Sequence, residues 1–310
     1  MYGQPDSFAA YFASWFDDQC SDCTGSISKM TIASMLEIIN LVRSAMESRQ
    51  SIHDKVLQTH QPNFEEDEVE YAITLAARLW SASYIDASRP PFSTGQTIEW
   101  TAGPLPNRLA QHFQPSSLEK GKLPSFFTAK KLDKIGGIKI QLTGNLLDHL
   151  KMTSDDTAVY IFHQVSFLGH HVYPNCTGLP KELVEETIRT LALLLPGSNG
   201  RPNKWYEKRR KGHEHELDPV AGTCGFLNAS NRRLENFKYW GLRLAILKQA
   251  FDDSEPKNFW HWWRDDRKKV QWYTFWIAVL VLVLTVVFGL IQSVAGVVQT
   301  VVTVKSANHS

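Results

Sequence analysis

Apolar positions along this 310-residue chain recur mostly at helical spacing, until a stretch near the end that is apolar with no period at all. Within residues 7–18, Phe8, Tyr11, Phe12, Trp15 and Phe16 line one face of a predicted helix capped by Asp6 or Ser7. That aromatic face needs something to dock on. A second helix is predicted from Thr31 to Ser48, aligning Ile32, Met35, Leu36, Ile39, Val42 and Met46. A third runs from Glu66 to Trp80, with opening acids that suit the positive end of a helix dipole. Prolines and glycines then break the pattern over residues 83–117, around one short strand candidate, "TIEW". This stretch reads as connector, and it is where the soluble part would subdivide.

The middle of the chain is mixed. "GGIKIQL" (136–142) and "TAVYIF" (157–162) alternate and are rich in β-branched or aromatic residues, so they are expected to pair across the short helix "NLLDHLKM". Two or three strands make only a minor sheet. "LPKELVEETIRTLALLLPG" is a well-punctuated helix, with Pro180 at the first turn, acids early, and Val184, Ile188, Leu191 and Leu195 on one face. A last soluble helix is predicted over Leu234–Phe251, carrying Phe237, Trp240, Leu244, Leu247 and Phe251.

The aperiodic stretch has no charged residue from Val270 to Val304. About 20 helical residues cross the roughly 30 Å hydrocarbon layer, so the length fits a transmembrane helix. A surface-lying helix would need a polar face, which the first half lacks. Five of the ten tryptophans, Trp260, Trp262, Trp263, Trp272 and Trp276, precede or open this segment, where indole suits the headgroup boundary. Lys257, Arg264, Arg267, Lys268 and Lys269 on that side oppose a single Lys305 beyond it, which places the large N-terminal part in the cytosol. The organisation expected is a helical soluble domain over 1–255, a Trp/basic juxtamembrane segment over 256–274, a transmembrane helix over 275–304 and a short tail over 305–310. The fold class is therefore mainly α, with a minor β element and one long C-terminal membrane helix. Without a basic n-region or an apolar h-region at the start, no cleaved signal is expected, and the protein reads as single-pass and tail-anchored. The endoplasmic reticulum or another endomembrane is the favoured organelle.

Along the predicted span, Thr285, Gly289, Gln292, Gly296, Gln299 and Thr303 are spaced 4, 3, 4, 3 and 4 and would form one small, polar seam. Such a stripe lets membrane helices approach and bond, so self-association or a membrane-protein partner is expected beside membrane lipid. The plainer reading is that it wets the helix where it leaves the hydrocarbon.

Chemistry is thin elsewhere. With 33 Lys+Arg against 32 Asp+Glu, net charge is +1, and no nucleic acid partner is expected. Four scattered cysteines do not staple a chain of this size; Cys20 and Cys23 form a CxxC that no second ligand pair completes, so neither metal nor cofactor is implied. Nucleotide, hydrolase and metalloprotease motifs are missing. Asp148, His149 and His163 are the catalytic candidates, with Asp148 orienting an imidazole as general base, against the ordinary reading of capped, hydrogen-bonded structural histidines. "KWYEKRRK" (204–211) reads as a solvated helix face, a nuclear address or a contact for anionic headgroups, and "HEHE" (213–216) as a solvated loop.

The blocks "NLLDHLKM...DDTAVYIFHQVSFL", "LVEETIRTLALLLP", "KWYEKR", "YWGLRLAILKQAFDDSEP" and "WWRDDRKKVQWYTFWIAVLVLVLTVVFGLIQSV" resemble a family of uncharacterised membrane-anchored proteins from filamentous ascomycete fungi. The similarity runs from about residue 70 to 300. Where the family often reads "NLADHL" and "IFHHASFL", Asp148, His149 and His163 match, while Gln164 replaces the second histidine and weakens a shared two-histidine site. The resemblance implies fungal origin and the anchored layout and brings no activity. The leading expectation is a non-enzymatic interaction or scaffold protein at a membrane. Its alternatives are an accessory product of a fungal gene cluster for morphology or secondary metabolism, and an enzyme with an unfamiliar Asp/His site.

Overall fold

A computed structural model of the chain describes residues 31–44, 46–60, 65–86, 95–116, 120–153, 155–171, 179–197, 201–214, 216–254 and 269–307. The aromatic stretch 7–18, the CxxC, Cys176 and residues 255–268 lie outside them. The backbone divides into two units, Met1–Glu255 and Pro256–Ser310. Among the described residues the first unit is mostly helical with one two-stranded sheet, and the second is a long apolar helix.

The first helix, α1 (Ile32–Val42), opens on a reciprocal cap: Thr31 Oγ1 accepts the Ser34 N–H at 3.2 Å and Ser34 Oγ accepts the Thr31 N–H at 3.0 Å. It stops at Val42, not Ser48. Met35, Ile38 and Val42 are buried, whereas Leu36 and Met46, both expected on the core face, are 55% and 90% exposed. A new helix, α2 (Arg49–His60), which the sequence pattern does not reveal, follows. The Arg49 guanidinium bonds Glu70 at 2.8 Å, Thr74 at 3.2 Å and the Trp100 carbonyl at 2.5 Å, pairs with Asp86, and lies over the Trp100 ring. One side chain thus ties α2 to α3 (Glu66–Ser81) and to the following connector. In α3, Val69, Ala72, Ile73, Ala76 and Leu79 repeat at helical spacing and are buried; each full-sized side chain contributes about 1.5–3 kcal/mol.

The described parts of the stretch 83–117 contribute to the core and include a helix, which corrects its reading as connector alone. Ile85 and Ile98 bridge in parallel, so "TIEW" supplies a single pairing instead of a strand. α4 (Leu105–His112) follows, with Pro104 before it and Pro106 in its first turn, and inserts Leu105 and Leu109 at 0% exposure beside a fully buried Trp100. Prolines here start a helix instead of preventing one.

After α5 (Ala129–Lys134), β1 (Lys139–Thr143) and β2 (Ala158–Phe162) pair in parallel, Lys139 opposite Ala158. Parallel pairing needs a crossover of about a dozen residues, which 144–157 supplies. That crossover holds one 3-10 turn, Leu146–Asp148, in place of the expected helix, then bends back through Leu150 at φ 59°. Its Leu150 N–H and Lys151 carbonyl bond Tyr160 on the far edge of β2, covering that edge. α6 (Val165–His171) and α7 (Lys181–Leu194) follow; Val184, Leu191 and Leu195 are fully buried and Ile188 packs beside them. Then come α8 (Lys204–Arg210), capped by Asn203, and α9 (Gly241–Asp253).

The single helix expected over Leu234–Phe251 is a 3-10 turn, Leu234–Asn236, a bend, and α9. Phe237, Trp240, Leu244, Leu247 and Phe251 are nonetheless all buried. Among the described residues the second unit holds one helix, α10 (Lys269–Ala307), longer than the 275–304 expected.

Candidate functional site

Two places concentrate the candidate residues: the polar interior around the crossover, and α10. In the interior, Asn145 caps the 3-10 turn and is 0% exposed with all its bonding capacity used. Its Oδ1 accepts the Tyr84 and Leu147 N–H groups, and its Nδ2 donates to the Gln96 carbonyl at 2.9 Å and to Asp148 Oδ2 at 2.7 Å. Asp148 also accepts the Gln96 N–H at 3.0 Å, with Lys151 Nζ at 3.8 Å. From α9, Arg243 donates to the Leu147 and His149 carbonyls at 2.8 and 2.6 Å while stacking on Trp240. Asp148 therefore holds backbone and Asn145, and among the described residues no hydrogen bond joins it to an imidazole.

His149 is fully buried against the edge of Trp240, ring centroids 4.8 Å apart. Its Nδ1 accepts the Phe162 N–H at 3.1 Å, so the neutral ring carries its proton on Nε2 and donates it to Thr190 Oγ1 at 2.7 Å. Thr190 in turn donates to the Thr187 carbonyl at 2.6 Å. Burial, and then the Arg243 charge, pull the His149 pKa down to about 3. His163, also buried, accepts the Asp218 N–H at Nδ1 over 3.4 Å, and burial lowers its pKa to about 4. Gln164 closes on Gly144, where its Nε2 sits 2.9 Å from where a Cβ would stand. The arrangement fixes β2 to α7 and to the Asp218 loop. Both histidines are neutral at physiological pH, and no cluster of three or more metal-ligating side chains occurs among the described residues.

Two buried acids went unnoticed as anchors. Glu186, on α7, is 1% exposed and accepts the N–H groups of Lys238, Tyr239 and Trp240 at 2.7–2.9 Å, capping α9 from another helix. Desolvation raises its pKa against those bonds. The only signal was its place among Leu183, Thr187 and Thr190 on the buried face. Asp218 likewise accepts from Ser166 N, Ser166 Oγ and Val220 N at 2.6–2.8 Å, opening α6.

α10 presents different chemistry. Tyr273–Thr300, 28 residues, is long and apolar enough to cross a membrane, and none of it is buried. Leu280, Leu282, Leu290 and Val294 are each about three-fifths exposed. A core helix of a soluble protein would be covered. At 1.5 Å per residue the segment spans about 42 Å, more than the roughly 30 Å hydrocarbon layer and close to the full bilayer thickness. Trp276 lies near its start, in edge contact with Phe275. Lys269, Trp272 and Thr303 sit on the helix, while Trp260, Trp262, Trp263, Arg264, Arg267 and Lys268 lie outside the described residues.

Because the helix is continuous, Thr285, Gly289, Gln292, Gly296, Gln299 and Thr303 fall within about 80° of arc at 100° per residue. A Cβ added at Gly289 or Gly296 would meet nothing within 4 Å. Thr285 donates its hydroxyl to the Val281 carbonyl at 2.8 Å, within its own helix. The chain matches no protein-family model, no curated protein and no solved structure.

Proposed function

We propose that this protein is a membrane-anchored interaction or scaffold protein: α10 crosses a bilayer once and holds the helical unit on the cytosolic side, where it gathers partners without catalysing a reaction. The observation that carries this reading is the uncovered apolar surface of Tyr273–Thr300. Left in water, 28 such residues would expose far more apolar area than monomeric proteins keep open. Hydrocarbon removes that cost. The orientation follows the cations Lys257, Arg264, Arg267, Lys268 and Lys269 before the apolar segment Tyr273–Thr300, against Lys305 after it. The resemblance of the Trp-rich block to fungal membrane-anchored proteins supports a filamentous fungus as source and the anchored layout, and an endomembrane is the favoured setting. Catalysis at Asp148, His149 and His163 is disfavoured by their burial and by the bonds that already occupy His149 and Asp148. The small, polar seam of α10 is the surface we assign to self-association or to a membrane-protein partner.

Protease protection tests the layout. In microsomes carrying the full chain with an N-terminal fluorescent tag, added protease should remove tag and helical unit together without detergent. Protection of the tag until detergent is added would reverse the orientation, and fluorescence spread through the soluble fraction would remove the anchor.

A further inference from the structure

Around the joint of α8 and α5, the arginines and lysines of the basic run take different tasks. Arg209 turns inward: Nη1 donates to the Ile140 carbonyl at 2.8 Å, Nη2 lies 3.6 Å from Asp133 Oδ2, and the guanidinium covers the Trp205 ring at 4.3 Å. Arg210 pairs with Glu207 at 3.2 Å. These contacts neutralise the acid of α5 and the acid of α8. What remains outward is Lys204, Lys208 and Lys211, one turn apart along α8 and its C-cap, with Lys130 and Lys134 one turn apart on α5 beside Asp133, all five exposed. Arg201, also exposed, leads into α8, and the paired His213 and Glu216, with Glu214, close the patch at its other end.

We propose that Lys130, Lys134, Lys204, Lys208 and Lys211 form a surface that lies against anionic lipid headgroups and sets which side of the helical unit faces the bilayer. This rests on the membrane-anchor reading above. Residues 255–268 can span at most about 50 Å, which keeps the helical unit near the bilayer that α10 enters, where charge can choose the face. Each cation near an anionic bilayer biases the orientation about fivefold, and anchoring keeps the local lipid concentration high enough for such weak contacts to add up. A nucleic acid fits the patch less well. Its aromatic residues are not free platforms for bases: Tyr206 is fully buried and Trp205 lies under Arg209. The chain as a whole, at net charge +1, lacks a polyanion-binding balance.

The test uses the full chain reconstituted into vesicles of neutral phosphatidylcholine, or of phosphatidylcholine with about a third phosphatidylserine. Flotation in neutral vesicles reads the anchor alone. Amine-reactive labelling with mass spectrometry reads the patch, with Lys55 of α2 as internal control. Labelling at Lys134, Lys204, Lys208 and Lys211 should drop about fivefold or more in anionic vesicles, recover in 0.5 M NaCl, and leave Lys55 unchanged. Changing Lys134, Lys204, Lys208 and Lys211 together to Gln should abolish the remaining contrast at Lys130 while leaving the thermal transition within a few degrees. Equal labelling in both vesicles with flotation intact overturns the patch and spares the anchor. Loss of flotation in neutral vesicles overturns both. Protection by an added oligonucleotide and not by phosphatidylserine overturns the lipid assignment in favour of nucleic acid.

Discussion

Glu186 shows most plainly what single residues do in this molecule. Its carboxylate takes the three consecutive backbone N–H groups of Lys238, Tyr239 and Trp240, the stretch that leads into α9, and it does so from a neighbouring helix in near-complete burial. Glu186→Ala leaves those donors unsatisfied and should cost about 3 kcal/mol in a urea titration of the detergent-solubilised chain, with Glu186→Gln losing less because one oxygen remains. The buried histidines make stability depend on pH. An unfolded histidine takes up its proton near 6.5, whereas folded His163 and His149 wait until about 4 and about 3. The unfolded state binds more protons in that window, so this contribution is complete above pH 6.5 and falls as pH drops, by about 2 kcal/mol per histidine at pH 5. Glu186 and Asp218, whose carboxyls burial raises above 4.5 and 3.8, give the opposite slope just above those values. The comparison is therefore made against His149→Gln, which should flatten the fall between pH 6.5 and 5 by about half. An unchanged slope would mean His149 is protonated in the folded state. These roles are not legible in the local pattern, which marks Glu186 as an early helix acid and His149 as a short-helix terminus, because Glu186 bonds Trp240 54 residues on and His149 bonds Phe162 and Thr190, 13 and 41 residues on.

At the scale of elements, legibility followed amphipathic strength. α3 and α7 repeat apolar residues every three to four positions and end on clear stops, and their predicted spans agree closely with those observed. α2 carries few apolar residues beyond Ile52, Val56 and Leu57 and is held by Arg49, so its periodicity gave little to read. α4 was hidden by prolines that begin it. α9 starts late because Glu186 captures the preceding backbone, a tertiary contact that no local pattern encodes. Its seat is tight at Gly136, where a Cβ would come within 2.6 Å of the Phe251 ring and 2.9 Å of the Leu132 carbonyl. Gly136→Ala should cost about 1–3 kcal/mol through overpacking, seen as a lower thermal midpoint. In α10, the open space at Gly289 and Gly296 permits a close helix partner. Gly289→Ile with Gly296→Ile should lower the yield of crosslinked oligomer in membranes if the seam mediates association; an unchanged yield would dismiss it.

One chain carries two units, a helical one and a long helix whose apolar side chains stay uncovered. The apolar length of α10 was readable from sequence because hydrocarbon thickness sets a simple requirement on consecutive residues, whereas the interior network around Asn145, Asp148 and Arg243 depends on chain crossings that composition does not record. Removing residues from Lys269 onward should convert the protein from a detergent-requiring species to one that remains in aqueous solution. The most direct measurement is alkaline carbonate extraction of membranes from cells expressing the full chain, followed by ultracentrifugation. Integration through α10 predicts that the protein stays in the pellet and is released only by detergent. Recovery in the carbonate supernatant would contradict it.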